Sequence, residues 1–198
     1  MATTTLYKVL RPSLLDSPLG GTGQQFLPLN ILDEAITKET VQAELQKLPW
    51  RSRALQRGLT GKVLQKAKKV FAILVLMGEP LAITGLLPEG LTDEHLPLSR
   101  KEGKDDNILV SVRGKTFRSF EAWRNEARVT EFLEKQWVVQ APVLDTTGKH
   151  ITLDPQSPFP FLQIEEIGGS RFSTVYKGAL HPAHQQEIRV SVSSALAA

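Results

Sequence analysis

Eight consecutive apolar residues, VFAILVLM at 70–77, leave this chain few ways to fold. They continue a helical pattern in which Thr60 is placed to accept a backbone N–H as N-cap, and Val63, Leu64, Ala67, Val70, Phe71, Leu74 and Val75 recur at helical spacing. The first half of this helix, KVLQKAKK, has a polar face. The second half has none, so it must be enclosed on every side, as at the centre of a helical bundle. Eight residues are too few to span a bilayer, which takes roughly 20, and Gly78 and Pro80 stop the helix. The rest of the chain has to supply a shell around it.

Thr37 caps a second helix, opened by Lys38 and Glu39, with Val41, Leu45 and Leu48 at helical spacing until Pro49. A short apolar piece at 81–87 follows the central helix, and Thr92, Asp93 and Glu94 open one more helical turn. The polar stretch RKEGKDDN at 100–107 reads as a linker and domain boundary. Residues 108–112 alternate like a strand, and Ser119 caps a helix carrying Phe120, Trp123, Ala127, Phe132 and Leu133. WVVQAPVLDTTGKHITLD reads as two β segments around a turn at Thr146, Thr147 and Gly148. The runs FLQIEEIG, FSTVYKGAL and EIRVSV, set off by Pro155, Pro158 and Pro160, predict a small antiparallel sheet. Residues 1–32, broken by Pro12, Pro18, Pro28 and by Gly20, Gly21 and Gly23, predict an extended or disordered arm. The expected fold class is therefore α+β: arm 1–32, helical region 33–99, linker 100–107, helix-plus-hairpin connector 108–154, and terminal sheet 155–198.

Charge and composition exclude several functions. Lys plus Arg number 24 against 21 Asp plus Glu, and a net charge of +3 exerts no strong overall pull toward nucleic acid or anionic membrane. With no cysteine there is no disulfide, thiolate metal site or cysteine nucleophile. The N-terminus lacks an uninterrupted apolar core of a secretory signal, so the expectation is a cytoplasmic or nuclear protein without a membrane span. Thr60, Gly61 and Lys62 hint at a P-loop, but Gln56 stands where its first glycine is needed and Val63 where a metal-binding hydroxyl is needed. His181, His184 and Glu187 have a spacing that metal ligands use, yet they lack a fourth ligand and read as solvated, with no metal site expected. Lys47, Arg51, Arg53, Arg57, Lys62, Lys66, Lys68 and Lys69 form a basic segment uninterrupted by acid, with Trp50 as a stacking face. It reads chiefly as a solvated helix face, with nucleic-acid binding as the alternative.

The remaining motif is IGGSRFSTVYKG at 167–178. Glycines between two strands let an anion approach the backbone and meet unpaired N–H groups; the same residues equally make an ordinary hairpin with a Gly-Gly turn. The order Ile, Gly, any, Gly, any, Phe, Gly, any, Val, Tyr, Lys, Gly resembles the opening of a protein kinase domain. Gly168 holds the first glycine position, Phe172 the aromatic at the loop tip and Val175 the valine, while Ser170 and Ser173 replace the other two glycines. With LHPAHQ after the second strand, and with the stretches around residues 70–98 and 136–154, the chain resembles a family of fungal kinase-like proteins in which a helical N-terminal region precedes the kinase domain.

This resemblance implies that Ile167 and Val175 lie against adenine while the N–H groups of Gly168, Gly169, Ser170, Arg171 and Phe172 cover the phosphates. The Cβ of Ser170 works against that close approach. The kinase phosphate-binding lysine falls on Ser191, and the 198 residues contain no helix C, His-Arg-Asp loop or Asp-Phe-Gly metal ligand. The expectation is a truncated kinase-like protein without catalytic residues. ATP is its weak cofactor, and Mg²⁺ joins only if the missing lobe is supplied. The alternatives are a protein-interaction module whose partner docks on the helical region, favoured if residues 60–77 expose apolar side chains, and a nucleic-acid binder using residues 47–69.

Overall fold

The structure is a computed structural model that describes residues 5–19, 23–46, 53–101, 103, 108–123, 125–145 and 152–186. Among them are seven α-helices: α1 (Thr5–Leu10), α2 (Leu29–Ala35), α3 (Lys38–Leu45), α4 (Arg53–Lys66), α5 (Lys68–Leu76), α6 (Ile83–Leu86) and α7 (Glu126–Lys135). The strands are β1 (Leu15–Asp16), β2 (Gln25–Phe26), β3 (Leu98–Arg100), β4 (Leu109–Ser111), β5 (Thr116–Phe117), β6 (Leu144–Asp145), β7 (Phe161–Ser170), β8 (Ser173–Leu180) and β9 (Gln185–Gln186). The fold is α+β, with antiparallel pairs β1–β2, β3–β4–β5 and β7–β8 and one parallel pair, β6–β9.

α5 is enclosed as its composition requires. Every residue of 70–76 is buried, and α1, α2, α4, α6, α7 and the 3₁₀ turn Gln136–Val139 all pack on it. Gly78, at φ 74°, ends the helix in the left-handed region, with its N–H donating to Val75 O and that of Glu79 to Leu74 O. The long helix expected from Thr60 is, however, two helices. Thr60 is buried inside α4 rather than capping it, and the chain breaks at Ala67, where φ −144° and ψ 30° leave the α region. The free amides at the start of α5 are met from a distance: the Asp93 carboxylate accepts the Val70 N–H at 3.0 Å. Burial raises the Asp93 pKa, the amides of 68–70 and the Lys69 ammonium oppose that rise, and burial lowers the Lys69 pKa in turn.

The segment 1–32 is not a free arm. Residues 5–19 and 23–32 contribute α1, the β1–β2 hairpin and the start of α2, and Leu6, Leu10, Phe26, Leu27 and Leu32 are all buried. The prolines initiate elements here instead of breaking them: Pro12 lies in the first turn of the 3₁₀ helix Arg11–Ser13, and Pro28 is the N-cap of α2. Missing N–H groups cost nothing at those positions. α3 begins as expected, with Thr37 Oγ1 accepting from Thr40 N–H and Thr40 Oγ1 from Thr37 N–H at 2.9 Å.

Residues 100–107 do not separate two cores. Lys101 N–H donates to Ile108 O, closing the β3–β4 hairpin, and Phe117, Phe120 and Phe132 belong to the same buried cluster as α5. The Gln136 side chain, buried, receives the Leu98 N–H at 2.6 Å and donates to Leu98 O at 2.9 Å, tying β3 to the turn after α7. The helix expected from Ser119 is split. A 3₁₀ turn, Ser119–Ala122, receives Glu89 carboxylate acceptors at the Arg118 and Ser119 amides, and α7 starts afresh under an Asn125 cap at 3.0 Å from Ala127 N. That break lets Phe120, Trp123 and Phe132 meet edge to face, with centroids 4.9 to 6.1 Å apart. The expected turn at Thr146 to Gly148 lies outside the described residues, and β6 takes β9 as its partner.

Candidate functional site

The glycine motif lies on β7 and β8, which pair over their length as one antiparallel hairpin closed by the two-residue turn Arg171–Phe172. Gly168 stands opposite Val175, Gly169 opposite Thr174 and Ser170 opposite Ser173. The register slips twice, leaving Ile167 and Leu162 as extra residues on β7 and β8 without a bulge. Ile167, Gly168 and Val175 therefore share one level of the ladder, Gly169 and Ser170 the next two, and Arg171 and Phe172 the tip. The side chains expected to lie against adenine are exposed, Ile167 by 59% and Val175 by 52%, and Phe172 at the tip by 91%.

Each glycine has its own role. A Cβ on Gly168 would meet nothing within 4 Å, so the face above it is open space while its backbone pairs with Val175. On Gly169 it would come 3.0 Å from Ser173 O, and on Gly178 2.7 Å from the Phe161 ring, so these two are glycine because the facing strand is close. The turn is held by two serines. Ser170 Oγ lies 2.9 Å from Ser173 Oγ and accepts the Phe172 N–H at 3.2 Å. One of the amides expected to cover phosphate is thus engaged within the turn. Ser173 and Gly178 matter to this geometry although neither was among the residues expected to bind the nucleotide. The third expected strand, EIRVSV, and Ser191 lie outside the described residues.

The hairpin is fastened to the body at its base. His184, expected to be solvated, is buried at 1% exposure. Its Nε2 accepts the Leu29 N–H at 3.3 Å and its Nδ1 lies 3.0 Å from Pro142 O. An amide can only donate and a carbonyl only accept, so the ring is neutral with its proton on Nδ1. Burial holds the His184 pKa below the usual histidine value, the Pro142 bond opposes this, and His181 and Lys69 lower it further. The Phe26 ring stands edge-on at 5.4 Å. His181 Nδ1 accepts the Ala183 N–H, and both histidines are spent on structure. Among the described residues no group of three metal-ligating side chains occurs.

Val63, Ala67 and all of 70–77 are buried, so these positions do not supply the exposed apolar side chains that would favour a docking face on 60–77. Of the basic segment, four lysines have described side chains. Lys68 is ion-paired to Asp33, Lys69 is drawn toward Asp93, and Lys62 and Lys66 are exposed on α4. Lys47, Trp50, Arg51 and the side chains of Arg53 and Arg57 lie outside the described residues. A cleft of about 480 Å³ opens on the body, lined by Pro97, Arg100, Leu133, Glu134, Trp137 and Asp154 among others. A neighbouring one of about 260 Å³ shares Glu134, Trp137 and Gln156 with it, and neither is lined by a residue of 161–180. No helix among the described residues is long and apolar enough to cross a membrane. No protein-family model, curated protein or solved structure matches the chain.

Proposed function

We propose that the hairpin 161–180 is a phosphate-facing loop of a kinase-like binding protein, and that these 198 residues do not transfer phosphoryl groups by themselves. The observation that carries the reading is the juxtaposition of exposed Ile167 and Val175 with the open space above Gly168. An apolar pair beside an open glycine face suits a ligand with a flat base at one end and an anion at the other. Catalysis would further need a lysine on the phosphates, a carboxylate on Mg²⁺ and a base for the acceptor hydroxyl. The sequence supplies no catalytic-loop or metal-binding motif for those tasks. ATP would then rest on one surface instead of between two, so its affinity is expected to be millimolar or weaker, about −4 kcal/mol at best. Isothermal titration of the 198-residue chain with Mg-ATP checks this. Micromolar binding, or measurable transfer of the γ-phosphate, would show that the hairpin is not acting alone.

A further inference from the structure

No residue of the hairpin 161–180 is buried, and the chain on either side of it is fastened to the N-terminal segment. On the entering leg Ser17 Oγ donates to Phe159 O at 2.8 Å and accepts the Phe159 N–H at 3.0 Å. On the leaving leg, in the 3₁₀ turn Pro182–His184, His184 Nε2 accepts the Leu29 N–H while its Nδ1 donates to Pro142 O. The two grips differ in chemistry. A serine hydroxyl keeps both of its roles across the physiological pH range, whereas an imidazole that gains a proton loses its one acceptor. Beyond His184 the leg is paired with β6 over two residues, Gln185 and Gln186. We propose that His184 is an acid-sensitive latch: on protonation it lets go of α2 and frees the leaving leg of the hairpin, while the core around α5 stays closed.

Leu29 is the first residue of α2, and its N–H is one of the amides that a helix start leaves without an internal partner. A proton on Nε2 would turn a donor toward that donor. It would also set a cation at the positive end of the helix. α2 itself is held by Leu32 and Ala35, buried in the same cluster as α5, so breaking this bond detaches the turn and not the helix. The surroundings decide when the proton arrives. Burial is the chief cause that keeps it off the ring, and His181 on the same turn and Lys69 at the start of α5 act in the same direction. The Pro142 and Leu27 backbone groups oppose them. Of the other charged groups on neighbouring elements, Asp33 on α2 is paired with Lys68, and Glu34 on α2 is exposed, as is Asp145 on β6. Phe26, edge-on to the ring, brings no charge. The inference does not depend on the nucleotide reading, since it concerns how the hairpin is held and not what it binds.

Amide hydrogen exchange read by NMR on the full chain tests this, with each rate compared to that of an unstructured chain at the same pH. Between about pH 7.5 and about pH 5, the Leu29 amide should lose protection below the ordinary histidine value of 6.5. The Phe71 and Met77 amides, which donate to Ala67 O and Ile73 O, should keep theirs. The loss at Leu29 should follow the titration of the His184 ring, read from its own imidazole signals. His184→Gln keeps an acceptor for the Leu29 N–H and has no proton to gain, so its Leu29 amide should stay protected across the range. The wild-type comparison of Leu29 with the ring stands whether or not that variant folds. A Leu29 amide still protected after the ring has charged would overturn the proposal. So would Phe71 and Met77 opening at the same pH as Leu29, or an equal acid loss in a folded His184→Gln.

Discussion

Phe71→Ala is expected to remove about 3–5 kcal/mol of stability, out of the roughly 5–15 kcal/mol typical of a domain. Phe71 is fully buried at the middle of α5, and α5 is the element on which helices from both ends of the chain pack. Truncating the ring opens a cavity that six surrounding elements cannot all close at once. Chemical denaturation of wild type and variant, compared at constant slope, measures the loss. A cost below about 1 kcal/mol would mean that α5 is not the centre of the core.

His184→Leu is expected to cost about 2–4 kcal/mol near neutral pH, because it leaves the Leu29 N–H and the Pro142 C=O buried without partners. The same residue gives the wild type a pH dependence. Its folded pKa lies below the ordinary 6.5, so the unfolded chain binds the proton more readily. Stability is then fully present above about pH 6.5 and is lost as the pH falls from there toward the folded pKa. His95 and His181, also lowered by burial, act with the same sign. Asp93 acts with the opposite sign, since its carboxyl is raised, but its window begins at 3.8, below that of the histidines. Unfolding measured between about pH 7.5 and about pH 5 should show an acid loss of stability in the wild type that is smaller in His184→Leu. An equal acid loss in the variant would place the effect elsewhere.

What the sequence disclosed was local. Eight apolar residues without a polar face can only be enclosed, Thr37 ahead of Lys38 and Glu39 caps a helix, and Gly78 stops the helical run; all three are as read. The hairpin 161–180 was legible because both of its strands and its turn are contiguous. What stayed hidden depends on partners far along the chain. Nothing near Ala67 announces a helix break, because the group that makes it affordable is Asp93, and Asp93 itself reads as the opening of a helical turn. Pro12 and Pro28 look like breakers until the elements they begin are known. His184 looks solvated because Leu29 and Pro142, which enclose it, are 155 and 42 residues away. The same limit applies to the candidate site. The motif named its residues, but the bulge that levels Ile167 with Val175, and the serine pair that closes the turn, belong to the pairing of two strands.

The account rests on the hairpin, and not the helical body, being where a phosphate-bearing ligand meets this protein. Amide NMR of the isotope-labelled 198-residue chain, titrated with Mg-ATP into the millimolar range, tests that directly. Shifts confined to the amides of Ile167 to Val175, not saturating below millimolar ATP, are the predicted result. An unmoved hairpin at the highest ATP, or shifts centred on the Trp137 clefts or α4, would contradict it.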